Sequence, residues 1–176
     1  MIDTLDIAIL HRPGEIGPSG TIKHERYSVD FLVNGMSLFK ATKAGERDFS
    51  GCFWIAGLDP SIKAHNETMA EQLTFARAPA IREMDGPLER HRVTLFVCSE
   101  CADLGCGAIT AEIARDGDLV VWSRFAYQNN WQDADGTNWD DFDSYRSIGP
   151  FHFAWDSYRT VIHRAAASPD ATRCRQ

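Results

Sequence analysis

Residues 92–125 read RVTLFVCSECADLGCGAITAEIARDGDLVVWSRF and contain three apolar runs separated by two turn signals. Each run is rich in β-branched and aromatic residues, which are typical of strands. The runs are 92–97, 108–114 and 119–125. Because the connections between them are short, we predict that the three strands form an antiparallel meander.

The second turn signal is the dipeptide Asp116-Gly117, which favours the two-residue turn of a β-hairpin. With these residues as the turn, Ile113 pairs with Val120 on the face of the sheet that meets the core. Glu112 then lies on the opposite face of the sheet.

The amino-terminal part of the chain adds further strands. Residues 5–10 have the apolar alternation of a half-buried strand. Farther along, Asn34-Gly35 lies between two apolar runs and predicts a second hairpin. In this hairpin we expect Phe31 to lie opposite Leu38.

Two segments carry helix signals. Asp59 followed by Pro60 favours the start of a helix over residues 61–78. Its apolar stripe consists of Ile62, Met69, Leu73 and Ala76. A second helix is predicted over residues 155–166, with Tyr158, Val161, Ile162 and Ala165 facing inward. The sequence thus predicts the α+β class: a mainly antiparallel sheet built from hairpins and a meander, with two packed helices.

Length and charge limit the function classes. A chain of 176 residues has the size of one domain, so we expect a single globular domain over residues 1–176 with a frayed tail at 167–176. Its 18 basic and 25 acidic residues leave a net charge of −7, which repels nucleic-acid phosphates and favours basic partners. Residues 1–6 lack the basic start of a signal peptide, and no stretch is long and apolar enough to span a membrane. We therefore expect a cytoplasmic location, with neither nucleic acid nor membrane as a partner.

Three of the five cysteines, Cys98, Cys101 and Cys106, fall in the first turn of the meander. The turn brings them together without long-range folding, and their spacing allows three thiolates to reach one tetrahedral zinc ion. A closed zinc site takes four ligands, and the candidates for the fourth are His91 and Cys52. We otherwise expect Cys52 to be buried as a small hydrophobic residue.

The cysteine turn permits three interpretations, which the sequence leaves open. The thiols bind a structural metal ion, they only pack, or Cys98 and Cys101 form a reversible disulfide. A catalytic zinc ion would also need a base, for which Glu100 and Asp103 are the carboxylates nearby.

Residues 98–107, the hairpin at 116–117 and the segment 149–153 resemble a group of uncharacterised bacterial proteins that carry a C-x2-C-[GA]-D-x-G-C-G turn. The resemblance covers roughly residues 92–166. In that group the position of Ala102 is usually glycine, and alanine tolerates positive φ less well, so the departure weakens a zinc-knuckle turn here. The group implies no assigned activity.

Residues 128–149 lack apolar periodicity and predict a long loop in which indole rings alternate with carboxylates. Such a composition is typical of protein interfaces. The predicted partner-binding residues are Trp131, Asp133, Asp135, Trp139, Asp140, Asp141 and Asp143.

The motifs of familiar cofactor enzymes are missing from the sequence, because it contains no phosphate loop, dinucleotide fingerprint or nucleophile elbow. We therefore predict a non-enzymatic protein that docks and restrains a basic protein, of the immunity or toxin-inhibitor type. The alternative is a thiol-redox or zinc-dependent enzyme that uses the three cysteines.

Overall fold

A computed structural model describes residues 1–55, 59–77, 89–129 and 140–167, which form antiparallel sheets with helices packed against them. The strands are β1 (Leu5–Arg12), β2 (Glu15–Ile16), β3 (Ile22–Lys23), β4 (Arg26–Val33), β5 (Met36–Ser37), β6 (Phe49–Gly51), β7 (Trp54–Ile55), β8 (Glu89–Cys98), β9 (Ala108–Asp116), β10 (Leu119–Gln128) and β11 (Phe151–Ala154). The helices are α1 (Leu38–Ala41), α2 (Pro60–Leu73) and α3 (Trp155–Ala166), with 3-10 turns at Ala44–Arg47, Leu104–Cys106 and Asp143–Tyr145.

The strands form two main sheets and one separate hairpin. The first sheet has the order β1-β4-β5, with β7 also paired to β4, and the second has the order β11-β10-β9-β8-β6. Strands β2 and β3 pair with each other. Every pairing is antiparallel, so the predicted α+β class with its meander, β8 to β10, is confirmed.

The register of the β9–β10 hairpin differs from the prediction. Asp116 pairs with Leu119, so the turn residues are Gly117 and Asp118, and Gly117 takes the positive φ of +56° that such a turn needs. Ile113 consequently pairs with Trp122 rather than with Val120. A shift of one residue in the turn moves each partner by two, and the predicted core face is retained.

The first hairpin turns at Asn34-Gly35 as predicted, with Val33 opposite Met36, but its second strand is shorter than expected. Strand β5 ends at Ser37, and Leu38 begins α1 instead of pairing with Phe31. The carboxylate of Asp30 accepts hydrogen bonds from the Ser37 hydroxyl at 2.5 Å and from the backbone N–H of Phe39 at 3.0 Å. The second bond satisfies a backbone N–H in the first turn of α1 that has no partner within the helix. A helix therefore begins at Leu38, where the apolar pattern had predicted a strand.

The two long helices follow their local signals to different extents. Asp59 caps α2 as predicted, but the helix ends at Leu73, and Ala76 is exposed beyond it. Phe75 has a positive φ of +62°, which is incompatible with continuing the helix. Helix α3 has the predicted bounds, and its predicted inward residues are buried.

The core is centred on Trp122, which is fully buried between the sheets and the helices. Its ring contacts Phe31 of the first sheet at 5.2 Å between centroids and Phe153 of β11 at 5.4 Å. The hydroxyl of Tyr158 on α3 donates to the carbonyl of Leu73 on α2, which ties the two helices together.

Residues 49–55 join the two sheets, because β6 pairs with β8 while β7 pairs with β4. The backbone N–H of Val29 donates to the carbonyl of Phe53 at 2.9 Å across this junction. Gly51 lies so close to β4 that a Cβ atom would stand 1.8 Å from the carbonyl oxygen of Val29. The junction therefore requires glycine at this position.

None of the helices in the described part of the chain combines the length and the apolar character needed to cross a membrane.

Candidate metal centre

The structure brings the three predicted cysteines together at one end of the meander. Cys98 is the last residue of β8, and Cys106 ends the 3-10 turn that precedes β9. The three Sγ atoms all lie within 4.8 Å of one another, and those of Cys101 and Cys106 are 3.5 Å apart. Cys101 and Cys106 are exposed and Cys98 is partly buried, so the group is open to solvent on one side.

Local backbone hydrogen bonds hold the cysteine turn. The N–H of Ala102 donates to the carbonyl of Cys98 at 3.1 Å, and Ala102 takes a positive φ of +52°. The Asp103 carboxylate accepts from the N–H of Gly105 and caps the 3-10 turn. These bonds explain why three cysteines within nine residues converge.

Gly107 closes the turn against an aromatic ring. Its φ is +86°, and a Cβ atom at this position would lie 2.4 Å from the ring of Tyr127 on β10. The ring therefore packs directly on the glycine backbone, and it lies parallel to the ring of Phe49. The cysteine turn therefore packs on Tyr127, whose ring is stacked with that of Phe49.

Charged residues from the amino-terminal half of the chain hold the cysteine turn through side-chain hydrogen bonds. Arg12 donates to Asp48 through two nitrogens, at 2.9 and 2.7 Å, and to Glu100 at 2.6 Å. His24 contacts the same Glu100 carboxylate with its ring at 2.8 Å, and Arg26 donates to the carbonyl of Ser99 at 2.9 Å. This network could not be predicted from the sequence, because its members come from segments up to 88 residues apart.

Glu100, a candidate base by sequence, is engaged in that network instead. Partial burial opposes its ionisation, but hydrogen bonds from His24 and Arg12 outweigh this and lower the pKa of Glu100 to about 2. A general base works best with a pKa near the working pH, so this carboxylate is poorly suited to the role. Asp103 is occupied as the cap of the 3-10 turn.

The thiols themselves differ in acidity. Partial burial opposes ionisation of Cys98, but the backbone amides of Glu100 and Cys101 donate to its sulfur and lower the pKa of this thiol below its ordinary value. Hydrogen bonding to the neighbouring sulfurs of Cys101 and Cys98 raises the pKa of Cys106 to about 12. Cys98 is therefore more readily ionised than Cys106, and a metal ion that binds the cluster would have to displace the protons that remain.

The predicted candidates for a fourth ligand are not part of the cluster. Cys52 is fully buried in the core, as predicted for a small hydrophobic residue, and burial raises the pKa of its thiol to about 12. His91 lies on β8 seven residues before Cys98, which places its backbone about 20 Å along the strand. Among the described residues no histidine, cysteine or carboxylate joins the three sulfurs.

Of the predicted partner-binding loop, residues 128–129 and 140–149 are described, and Trp131, Asp133, Asp135 and Trp139 lie outside the described residues. Asp140 accepts a hydrogen bond from the side chain of Gln128, Asp141 accepts from the N–H of Ser144, and Asp143 pairs with Arg146. Each of the three described aspartates thus contacts its own chain.

No protein family, curated protein or solved structure matches the chain. Its function has to be inferred from the chemistry of its own residues.

Proposed function

We propose that the protein binds one zinc ion through Cys98, Cys101 and Cys106, with a fourth coordination position that faces solvent. The proposal is carried by the convergence of three sulfur atoms within 4.8 Å. In a tetrahedral site with zinc–sulfur bonds of about 2.3 Å, neighbouring sulfurs lie about 3.8 Å apart. The observed upper bound of 4.8 Å and the shortest separation of 3.5 Å bracket that value.

The surroundings of the thiols favour a role in binding rather than in hydrolysis. A catalytic zinc site needs a base that can take a proton from the bound water. The pKa of Glu100 is lowered to about 2, and Asp103 caps the 3-10 turn. The open position then serves a water molecule or an incoming ligand, while the ion cross-links β8 to the start of β9.

The test is a metal titration of the reduced protein. We expect one Zn²⁺ per chain, release of protons on binding, and a sulfur-to-metal charge-transfer absorption when Co²⁺ replaces Zn²⁺. Cys98→Ser should weaken binding at least tenfold, because it removes one of three ligands. Cys52→Ala is the matched control, since it removes a thiol outside the cluster. Equal affinity in Cys98→Ser and wild type would contradict the proposal.

A second candidate is thiol redox chemistry, which is favoured by the 3.5 Å separation of the exposed sulfurs of Cys101 and Cys106. With hydrogen peroxide as oxidant, one thiolate attacks a peroxide oxygen and becomes a sulfenic acid. The O–O bond breaks and hydroxide leaves, which takes up the proton that the thiol lost and becomes water. The second thiol then displaces the hydroxyl as a further water molecule and forms the disulfide. Mass spectrometry of the metal-free protein after peroxide treatment would show the loss of two hydrogens and the identity of the linked pair.

Docking of a basic protein, such as a toxin, remains a prediction supported by the net charge of −7. Its test combines Trp131→Ala and Trp139→Ala. The double variant should stay folded by circular dichroism and lose a stoichiometric partner that wild type recovers from the native host. Recovery of no such partner by wild type would contradict the prediction.

A further inference from the structure

A β-bulge interrupts β10 in the middle of the meander. Ser123 pairs with Glu112 and Ala126 with Thr110, so Arg124 and Phe125 together lie opposite the single residue between those partners on β9. Arg124 adopts a φ of +46°, which is uncommon for a residue other than glycine. The bulge buries Phe125 and leaves the Arg124 side chain 57% exposed. The extra residue also bends the strand at this point, which a regular strand would not do.

A concave cavity of about 450 Å³ lies beside the bulge, a volume typical of small-molecule sites. Its apolar lining includes Phe125, Phe142, Tyr145 and Ile148, and Arg124 and Arg146 also line it. Tyr145 and Phe125 are almost fully buried. The cavity thus offers a fixed apolar floor together with two guanidinium groups.

A third guanidinium lies beneath the cavity wall. Arg92 is fully buried and donates to the Thr110 hydroxyl at 3.1 Å and to the backbone carbonyl of Arg124 at 2.9 Å. Its guanidinium also faces the ring of Phe142, with 5.0 Å between the guanidinium carbon and the ring centroid. Its position under the bulge places a third guanidinium group next to the cavity.

Arginines outnumber carboxylates among the described residues around the cavity, although the chain as a whole carries a net charge of −7. Glu112 pairs with Arg124 at 3.1 Å, and Asp143 pairs with Arg146 at 2.6 Å. Three guanidinium groups therefore accompany two carboxylates among the described residues that line or underlie the cavity. An anion that enters the cavity meets the guanidinium groups of Arg124 and Arg146, which line it.

We propose that this cavity binds a small organic carboxylate with an apolar body, its ring or branched chain on the floor and its carboxylate between Arg124 and Arg146. Guanidinium groups recognise carboxylates through paired, charge-assisted hydrogen bonds. The apolar body of the ligand packs on the aromatic lining of the cavity, and its negative charge is bound by the two arginines. This site is distinct from the cysteine cluster, and the proposal does not depend on zinc.

The test uses phenylacetate as the probe and amide chemical shifts of the full chain as the readout. Phenylacetate should shift the amides of Arg124, Phe125 and Gly149 and saturate at low-millimolar concentration. Phenylacetamide, which has the same shape without the charge, and acetate, which lacks the ring, should each bind about tenfold more weakly.

Two variants separate recognition from folding. Arg124→Gln and Arg146→Gln should each weaken phenylacetate binding by about five- to tenfold. Arg146 is largely exposed, so its variant will fold even if Arg124→Gln does not. Arg159→Gln on α3, whose arginine contacts Asp156 and Trp155, is the matched control and should bind as wild type does. Equal binding of phenylacetamide, shifts confined to other regions, or wild-type affinity in Arg146→Gln would each overturn the proposal.

Discussion

The two candidate sites on the β8–β10 meander are built in different ways. At the cysteine turn, all three candidate ligands come from nine consecutive residues and are held by a local turn. At the arginine-lined cavity, a bulge in the middle of β10 combines with residues 142–150, and a buried arginine from β8 lies beneath it. The first site depends mainly on local backbone conformation, whereas the second depends on the assembled sheet.

This difference predicts how each site responds to loss of the fold. A short segment that contains its own metal ligands retains some affinity for the metal when the domain unfolds. A cavity whose walls come from distant segments disappears with the tertiary structure. A substitution that unfolds the domain should therefore abolish phenylacetate binding but only weaken zinc binding.

The largest effect is expected for Gly51→Ala at the junction of the sheets. The added Cβ would lie 1.8 Å from the carbonyl oxygen of Val29, a backbone atom that cannot move without displacing β4. We expect a loss of more than about 3 kcal/mol in the free energy of unfolding, or no folding at all. Phenylacetate binding should be lost, while Zn²⁺ should still bind with reduced affinity. Urea unfolding and both titrations measure these effects.

Gly35→Ala provides the control for this change. Gly35, unlike Gly51, has a positive φ, at +79°, but nothing lies within 4 Å of its missing Cβ. Its replacement should cost only about 1 kcal/mol and leave both sites intact. A Gly51→Ala protein as stable as Gly35→Ala would show that the junction is not tightly packed.

The same distinction between local and distant contacts explains how much could be predicted from the sequence. The meander, helix α3 and the cysteine cluster follow from periodicity and turn residues that act over a few positions. Helix α1 was missed because Asp30, on β4, satisfies its first turn. The bulge at Arg124 was missed because no residue type marks it, and Arg12 was missed because its partner Glu100 lies 88 residues away.

An effect of intermediate size is expected on the free energy of unfolding when the pH is lowered, because Glu100 becomes protonated. Its pKa in the folded protein, about 2, lies below the ordinary value of 4.5. The ionised carboxylate therefore stabilises the fold above about pH 5, and this contribution is lost as the pH falls towards 2. Because Glu100 is one-third exposed, solvent reduces the contribution to about 1 kcal/mol.

Urea unfolding of the metal-free protein at pH 6 and pH 3 measures this contribution. Glu100→Gln should be less stable than wild type at pH 6 and should lose less stability on acidification. Glu67→Gln on α2, where the carboxylate is exposed and lies 3.9 Å from Lys63, should behave as wild type does. Identical pH dependence in Glu100→Gln and wild type would show that the ionised Glu100 carboxylate does not stabilise the cysteine turn.

The smallest effect concerns Ala102, at the centre of the cysteine turn. A φ of +52° costs alanine about 1–2 kcal/mol relative to glycine, while glycine loses about 0.4–1 kcal/mol more through the entropy of the unfolded chain. The first quantity is larger, so Ala102→Gly should stabilise the metal-free protein by about 0.5 kcal/mol. Ala41→Gly, in an exposed helical position, should instead destabilise it by a similar amount. If the turn limits zinc binding, Ala102→Gly should also raise the affinity about twofold. A destabilised Ala102→Gly would mean that the left-handed conformation, on which the convergence of the three sulfurs depends, is not populated in solution.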